Sequence, residues 1–232
     1  MYMHGVSPSL NWSKIKLVIF DVDGTLYSQA KLRKWMLRDL LGYYMLRPWR
    51  YKELLILQKF RSEREHRDTN DCTDLENAQY TWCADGHKVT TSAVRKVTDK
   101  WIFSHPNQYL SRCAYPGVNS FFKSLRRLGI KTAIYSDYKA QDKLTAMNLS
   151  ADMVVSSTDP HIDKFKPHPK GLLYIAEQMG VEVNECLFIG DRDEKDGLCA
   201  RNAGMPYVII DTKTDDTAAF YSLLEQQLNT KP

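Results

Sequence analysis

The chain predicts an α/β fold: a parallel sheet covered by helices on both faces and interrupted after its first strand by an all-helical block. Three observations carry this. From residue 113 onward, short apolar runs alternate with amphipathic stretches, the pattern of strands and crossover helices. One further strand-like run, Leu17-Val18-Ile19-Phe20, is set apart from the others by residues 28–112, which read as a block of helices joined by loops, with no strand. Several of the runs end in polar residues, mostly acids, and in open α/β sheets ligands sit beyond the carboxyl ends of the strands.

In chain order, residues 1–13 read as a loose leader containing Gly5 and Pro8, followed by a buried strand at 17–21. Leu32, Trp35, Met36, Leu40, Leu41, Tyr44 and Met45 fall at helical spacing until Pro48 breaks the pattern. A second helix runs from about Tyr51 to Glu65, a polar loop spans Asp68 to Asp74, and further helices are expected over 74–84 and 91–103, with a turn at Asp85-Gly86 between them. After Pro116-Gly117 come a helix at 118–128, a strand at 132–136, a helix at 139–147 and a short strand at 153–156. A loop through Pro169 leads to a helix at 170–179, a strand at 186–190, a helix at 194–203, a strand at 207–210 and a final helix at 216–228. The helices before Gly129, Gly180 and Gly204 have their stop signals in place. The division is 1–27 with 113–232 for the sheet domain and 28–112 for the helical one.

Composition excludes some classes. Five widely spaced cysteines with no CxxC pair are neither a disulfide framework nor a zinc site, and they suit a reducing compartment. The first fifteen residues carry no apolar core of signal-peptide length, and no apolar run has the length of a membrane span, so a cytoplasmic protein is expected. The net charge of +4 is uneven: Lys31 to Arg67 holds eleven Lys and Arg against four acids, a local balance of +7. Such a segment favours anionic partners.

The chemistry starts at Asp21-Val22-Asp23-Gly24-Thr25. Two carboxylates one residue apart at a strand end repel unless a cation compensates, and a hard divalent ion bound by oxygens is the natural one. Three further places carry polar groups: Ser136-Asp137 at the end of one strand, Lys164-Phe165-Lys166-Pro167-His168-Pro169 in a loop, and Gly190-Asp191 followed by Asp196. Alone, Ser136 reads as a strand-end hydroxyl and Lys166 as a solvated lysine before a proline turn. Together, in this order and each at the right end of its element, the four resemble the motifs of haloacid dehalogenase-like (HAD) hydrolases, most of which are magnesium-dependent phosphatases. The resemblance covers roughly 14–27 and 113–212.

That resemblance implies a Rossmann-like core, with the helical block as a cap of the family's C1 type. It implies Asp21 as a carboxylate nucleophile forming an aspartyl-phosphate, and Asp23 as the acid that protonates the leaving oxygen and then activates water. Magnesium is then held by Asp21, the backbone carbonyl of Asp23, and Asp191, with Asp196 supporting it from behind. Lys166, Ser136 and the backbone amide of Asp137 bind the phosphoryl oxygens. Thr25 shapes the loop. The chain departs from the family pattern at Asp137, often Asn, and at Ser28, often Asp.

Other polar residues read as structural. His168 belongs to its loop, Arg192 and Asp193 form a local surface pair with Arg192 the one able to reach the cap, and Glu194 and Asp163 are solvated. None of His4, His66, His87, His105 or His161 has a partner at metal-ligand spacing. The aromatic residues of the helical block, Trp35, Trp49, Trp82 and Trp101 with Tyr43, Tyr44 and Tyr51, read chiefly as its core. The expected partner is a small phosphorylated molecule, with no nucleic acid; peripheral membrane contact through the basic aromatic stretch ranks below it. The alternatives are a phosphomutase on the same residues, a dehalogenase, which has little use for Asp23 or magnesium, and a catalytically idle phosphate-binding or regulatory domain.

Overall fold

The structure is a computed structural model describing residues 11–67, 72–85, 89–212 and 217–229. The leader glycine and proline, Gly5 and Pro8, with His4, the start of the polar loop at Asp68, Gly86, His87 and the expected start of the last helix at Asp216 lie outside these residues. Five parallel strands form one sheet: β1 (Leu17–Phe20), β2 (Lys131–Ser136), β3 (Met153–Ser156), β4 (Cys186–Gly190) and β5 (Tyr207–Ile209), in the order β3-β2-β1-β4-β5. The sequence predicts each of them within a residue or two.

Strand side chains alternate between two cores. Val18, Phe20, Ile134, Leu187 and Ile189 face one side, where α6 (Val118–Arg127), α7 (Gln141–Ala146) and α10 (Phe220–Asn229) supply Phe121, Phe122, Leu125, Leu144 and Tyr221. Leu17, Ile19, Ala133, Tyr135 and Phe188 face the other, against Leu172 and Ile175 of α8 (Lys170–Met179) and Ala200 of α9 (Leu198–Ala203). A strand buried on both faces has no polar alternation, which is why β1 reads as an unbroken apolar run.

Among the described residues, five α-helices occupy the stretch between β1 and α6: α1 (Gln29–Met45), α2 (Lys52–His66), α3 (Leu75–Ala84), α4 (Thr91–Thr98) and α5 (Asn107–Cys113). Ser28, Asp74 and Thr90 cap α1, α3 and α4, each accepting a backbone N–H three residues on. The single helix expected over 91–103 instead ends at Thr98 and continues as a widened π-type turn over Asp99–Ser104, and another such turn over Asp193–Gly197 precedes α9. Wide turns of this kind arise from local insertion into the helical ladder and leave no periodic signal.

The apolar pattern of α1 is only partly core. Leu32, Met36 and Tyr44 are buried, whereas Leu41 and Met45 are exposed. Trp101 is buried and Trp35 stacks on Tyr109 at 5.4 Å, but Trp49 is 73% exposed and Tyr51 is also exposed. No helix among the described residues is long and apolar enough to cross a membrane.

Candidate active site

The sheet changes direction of growth at β1, whose neighbours are β2 on one side and β4 on the other. Phe20 is in register with Ile134 and with Ile189, and Asp21 donates its backbone N–H to the Ile189 carbonyl at 2.9 Å. Asp21 therefore stands at the topological switch point, level with the ends of β2 and β4, where an open α/β sheet leaves its crevice.

The chain turns immediately after Asp21. Gly24 has φ +103, and a Cβ there would lie 2.0 Å from the Asp191 carboxylate. Both facts demand glycine: the backbone conformation disfavours a side chain, and the missing side chain lets the Asp191 carboxylate rest against the turn. Gly190 works similarly, since its Cβ would come within 2.4 Å of Asp196 Cβ.

Asp21 is buried, and its two oxygens are held differently. Thr25 Oγ1 donates to Oδ2 at 3.0 Å, and Lys166 Nζ donates to Oδ1 at 2.6 Å. Thr25 thus orients the carboxylate, a more direct part than shaping the loop. The Lys166 ammonium also donates to Asp196 Oδ1 at 2.6 Å. The other Asp196 oxygen accepts from the N–H groups of Asp191 at 3.2 Å and Arg192 at 3.1 Å, so Asp196 folds its own loop around the site. Oxygens of Asp21, Asp191 and Asp196 lie within 4.8 Å of one another.

Asp23 points elsewhere. Lys143 Nζ of α7 contacts both its oxygens at 2.6 Å, Tyr27 donates its hydroxyl to it, and Gln29 Nε2 donates to its backbone carbonyl at 2.6 Å. Lys143 is a second buried ammonium at the site that the sequence reading does not single out. The signal was present: Lys143 lies three residues after Ala140 and four before Met147, on the apolar stripe of α7.

Ser136 is buried, its Oγ accepting the Tyr138 N–H at 3.3 Å. The Asp137 side chain accepts from Ser157 Oγ at 2.7 Å and from the Lys166 N–H at 3.3 Å, which accommodates an acid where the pattern often has Asn. The Asp137 carbonyl accepts from Arg64, a buried residue of α2 that also bonds Gln79 and lies over the rings of Tyr138 at 4.1 Å and Phe165 at 4.3 Å.

Three residues expected at the surface have other partners. Asp163 accepts the N–H groups of Asp74 at 2.9 Å and Leu75 at 2.5 Å, capping α3 from the far side of the chain. Arg192 pairs with Glu65 at 2.9 Å and Asp193 with Arg201 at 2.8 Å, so they are not a pair with each other. Lys195 joins Glu65 at 3.0 Å. His168 accepts the Lys170 N–H within its loop.

The charges are unevenly compensated. Burial, opposed by Lys166 and reinforced by Asp196 and Asp23, pushes the Asp21 carboxyl up to about 6. Burial with repulsion from Asp21 and Asp196 pushes Asp191 up to about 8. Burial would lower the Lys166 ammonium, but Asp196, Asp21 and Asp137 hold it well above its ordinary value. Burial alone would raise Asp23 and Asp137; Lys143 and Tyr27 bring the first below its usual value, and Lys166, Ser157 and Arg64 the second. Three converging carboxylates against one ammonium leave a deficit of positive charge in an all-oxygen donor set. A hard divalent cation such as magnesium fits that deficit.

A family profile described as haloacid dehalogenase-like hydrolase matches residues 15–204. The phosphoglycolate phosphatase of Xanthomonas campestris pv. campestris (strain 8004) is 34% identical over 97 residues, 40% of this chain and 43% of that enzyme. The glyceraldehyde 3-phosphate phosphatase of Methanopyrus kandleri is 27% identical over 206 residues, 84% of each chain. The chain spans about half the length of the first curated relatives it matches. Among solved structures, a HAD phosphatase from Thermococcus onnurineus superposes with a TM-score of 0.59 at 24% identity, covering 90% of this chain and 98% of that one, a likeness of fold. With the switch-point aspartate, the buried lysine and the acidic loop in the places the motifs require, the chain belongs to the haloacid dehalogenase-like hydrolase family.

Proposed function

We propose that the protein is a magnesium-dependent phosphatase that hydrolyses a small phosphomonoester through an aspartyl-phosphate on Asp21. The observation that carries this is the buried Lys166 ammonium, 2.6 Å from both Asp21 and Asp196. It holds a carboxylate ionised and aimed in a crevice that otherwise favours its neutral form. Relatives named as phosphatases of phosphoglycolate and of glyceraldehyde 3-phosphate support the substrate class.

Asp21 attacks phosphorus with Oδ2 or Oδ1, forming one P–O bond as the ester P–O bond breaks. Lys166 then shares its N–H donors between Asp21 and the phosphoryl oxygens, while the Ser136 hydroxyl and the adjoining backbone amides receive the same oxygens. Asp21, Asp191 and the Asp23 carbonyl, with Asp196 behind, would hold magnesium, which would neutralise charge between nucleophile and phosphate; the Asp23 carbonyl accepts from Gln29 Nε2 in the arrangement observed. Asp23 gives a proton to the leaving oxygen and takes one from the water that cleaves the acyl phosphate. Lys143 and Tyr27 keep its carboxylate ionised in the arrangement observed, so the donor role requires that grip to loosen as substrate enters.

Residues 28–112 serve as a C1-type cap that selects the leaving group. Five unpaired cysteines suit a reducing cytoplasm. The test is phosphate release from an aryl phosphate with magnesium or with a chelator, in the wild type and in Asp21→Asn. Release that needs magnesium and vanishes in the variant is expected. Release that survives Asp21→Asn undiminished removes the nucleophile and the proposal with it.

A further inference from the structure

We infer that the end of α1, the turn at Pro48–Arg50 and the start of α2 form a docking face for an anionic phospholipid surface. Among the described residues eleven large apolar side chains stand exposed, and eight of them fall between residues 37 and 55: Leu37, Leu41, Met45, Leu46, Trp49, Tyr51, Leu54 and Leu55. The other three, Leu128, Leu173 and Leu198, fall singly along the chain, at the end of α6, on α8 and on α9. A run of eight in one corner is a patch, and patches of that kind mark interaction surfaces.

The patch is built rather than frayed. Leu37, Leu41 and Met45 are four residues apart on α1 and form one stripe, separate from the Leu32, Met36 and Tyr44 face that packs inward. The turn that follows is fixed by main-chain bonds from Arg50 to Arg47 and from Tyr51 to Pro48. It is fixed again by Glu53, which accepts from Arg50 Nε at 2.7 Å and Tyr44 OH at 3.1 Å. Arg47 lies over the Tyr43 ring at 4.7 Å. Trp49 is therefore held outward, at 73% exposure, with Leu46 at 73% and Met45 at 79%.

Charge decides the occupant. The exposed Arg47 and Lys52 flank Trp49 and Tyr51, and Lys34 and Arg38 lie one position round α1 from the stripe. Residues 34–55 carry five basic residues, Lys34, Arg38, Arg47, Arg50 and Lys52, against Asp39 and Glu53, a balance of +3. A second copy seated on this face by two-fold symmetry sets two such positive segments against each other. An anionic bilayer meets both demands together. Its headgroups take the Arg and Lys, its headgroup–acyl boundary takes Leu and Met, and Trp and Tyr sit at the level between.

The test is co-sedimentation of the full chain with vesicles of phosphatidylcholine alone and of phosphatidylcholine mixed with phosphatidylglycerol. Binding to the mixed vesicles, weakened by salt and absent from the neutral ones, is expected. Arg47→Gln and Lys52→Gln should each weaken it about fivefold, and Trp49→Ala with Leu46→Ser should abolish it. All four positions are exposed, so circular dichroism and melting temperature should not change in these variants, and the reading does not depend on catalysis. No binding to the mixed vesicles, or equal binding to both kinds, overturns the inference. So does a dimer in light scattering that dissociates in the Trp49→Ala, Leu46→Ser variant, which assigns the face to a second copy.

Discussion

Replacing Lys166 by Met keeps the length of the stem and removes one buried charge. The Lys166 side chain is 2% exposed and its partners Asp21 and Asp196 are 6% and 2% exposed. Removing one member of such a pair typically costs about 3–5 kcal/mol, because the carboxylate left behind is neither solvated nor paired. An independent bound comes from proton uptake. Asp21 already stands at about 6 with Lys166 in place, so losing the ammonium adds at pH 7 only the step from there to the neutral form, about 1.4 kcal/mol at about 1.4 kcal/mol per unit. The second figure is the part that falls on Asp21 alone; the first covers both carboxylates and is a large share of a stability of roughly 5–15 kcal/mol. The sign of the pH dependence follows. A carboxyl whose folded value is raised destabilises the fold increasingly as pH climbs from its unfolded value toward its folded one. The difference between the two proteins should therefore be largest at pH 7 and shrink toward pH 5, where Asp21 is protonated with or without Lys166. Urea denaturation of wild type and Lys166→Met in chelator, at pH 7 and near pH 5, measures both quantities. Magnesium should recover part of the loss by binding the folded state alone. A loss below about 1 kcal/mol at pH 7, or one that does not change with pH, would refute the view that Lys166 compensates buried carboxylates.

Four other outcomes are expected. Lys143→Met should destabilise the fold by about 2–3 kcal/mol, read from the urea midpoint, less than Lys166→Met because Asp23 is 20% exposed. Gly24→Ala puts a Cβ into the Asp191 carboxylate at positive φ. It should weaken magnesium binding in calorimetry by at least about tenfold, alongside a strain of roughly 1–3 kcal/mol; unchanged affinity would dissociate Asp191 from the metal. Asp163→Ala removes the acceptor for two N–H groups of α3 and should cost about 1–2 kcal/mol, with faster amide exchange confined first to α3. Burial pushes the thiols of Cys83, Cys186 and Cys199 up to about 11, 12 and 12, and Cys113 is also buried. Alkylation of the native protein at pH 8 should therefore label Cys72 alone, and all five cysteines only in urea; rapid native labelling at Cys199 contradicts this burial.

What was legible in the sequence is what a short stretch of chain specifies by itself. A strand buried on both faces must be apolar throughout, and a turn that admits the Asp191 carboxylate must have glycine, so Leu17 to Gly24 announces both strand and site. Lys166, Asp191 and Asp196 are different: alone, Lys166 reads as a solvated lysine, and only the resemblance of the four motifs in order points to these three residues, which the fold brings beside Asp21. Asp163 and Arg192 were assigned to the surface because their partners lie 88 and 127 residues away, and nothing local encodes a pairing at that range. Lys143 and Arg64 fall between these cases. Each stands on the buried stripe of its helix, Arg64 in line with Leu57 and Phe60. A basic residue on such a stripe is ordinarily solvated at its tip, however, and only the fold shows the carboxylate or carbonyl awaiting it. Trp49 and Tyr51, expected in the core of the helical block, stand exposed for a different reason: an aromatic residue in an apolar stretch says nothing about whether anything covers it.

The same long-range contacts bear on how firmly the site is held. Each of the three loops beyond β2, β3 and β4 is tied to the α1–α5 segment by a charged group. Arg64 holds the Asp137 carbonyl, Asp163 holds the start of α3, and Glu65 holds Arg192 and Lys195. The ties are not equal. Glu65 and Arg192 are 47% and 36% exposed, so that pair contributes roughly 0–1 kcal/mol and weakens in salt. Arg64 is buried between aromatic rings with its guanidinium bonded at both ends, and such a contact is neither screened nor readily replaced by water. Asp163 lies between these, since it meets two main-chain N–H groups at the edge of the fold. High salt therefore releases the outermost tie and leaves Arg64 in place. The Asp137 backbone, and with it the Lys166 N–H that bonds the Asp137 side chain, keeps its position relative to α2 under conditions that dissolve the surface ion pairs. The alignment of Lys166 on Asp21 is in this sense a joint property of the sheet and of one arginine from the inserted helices.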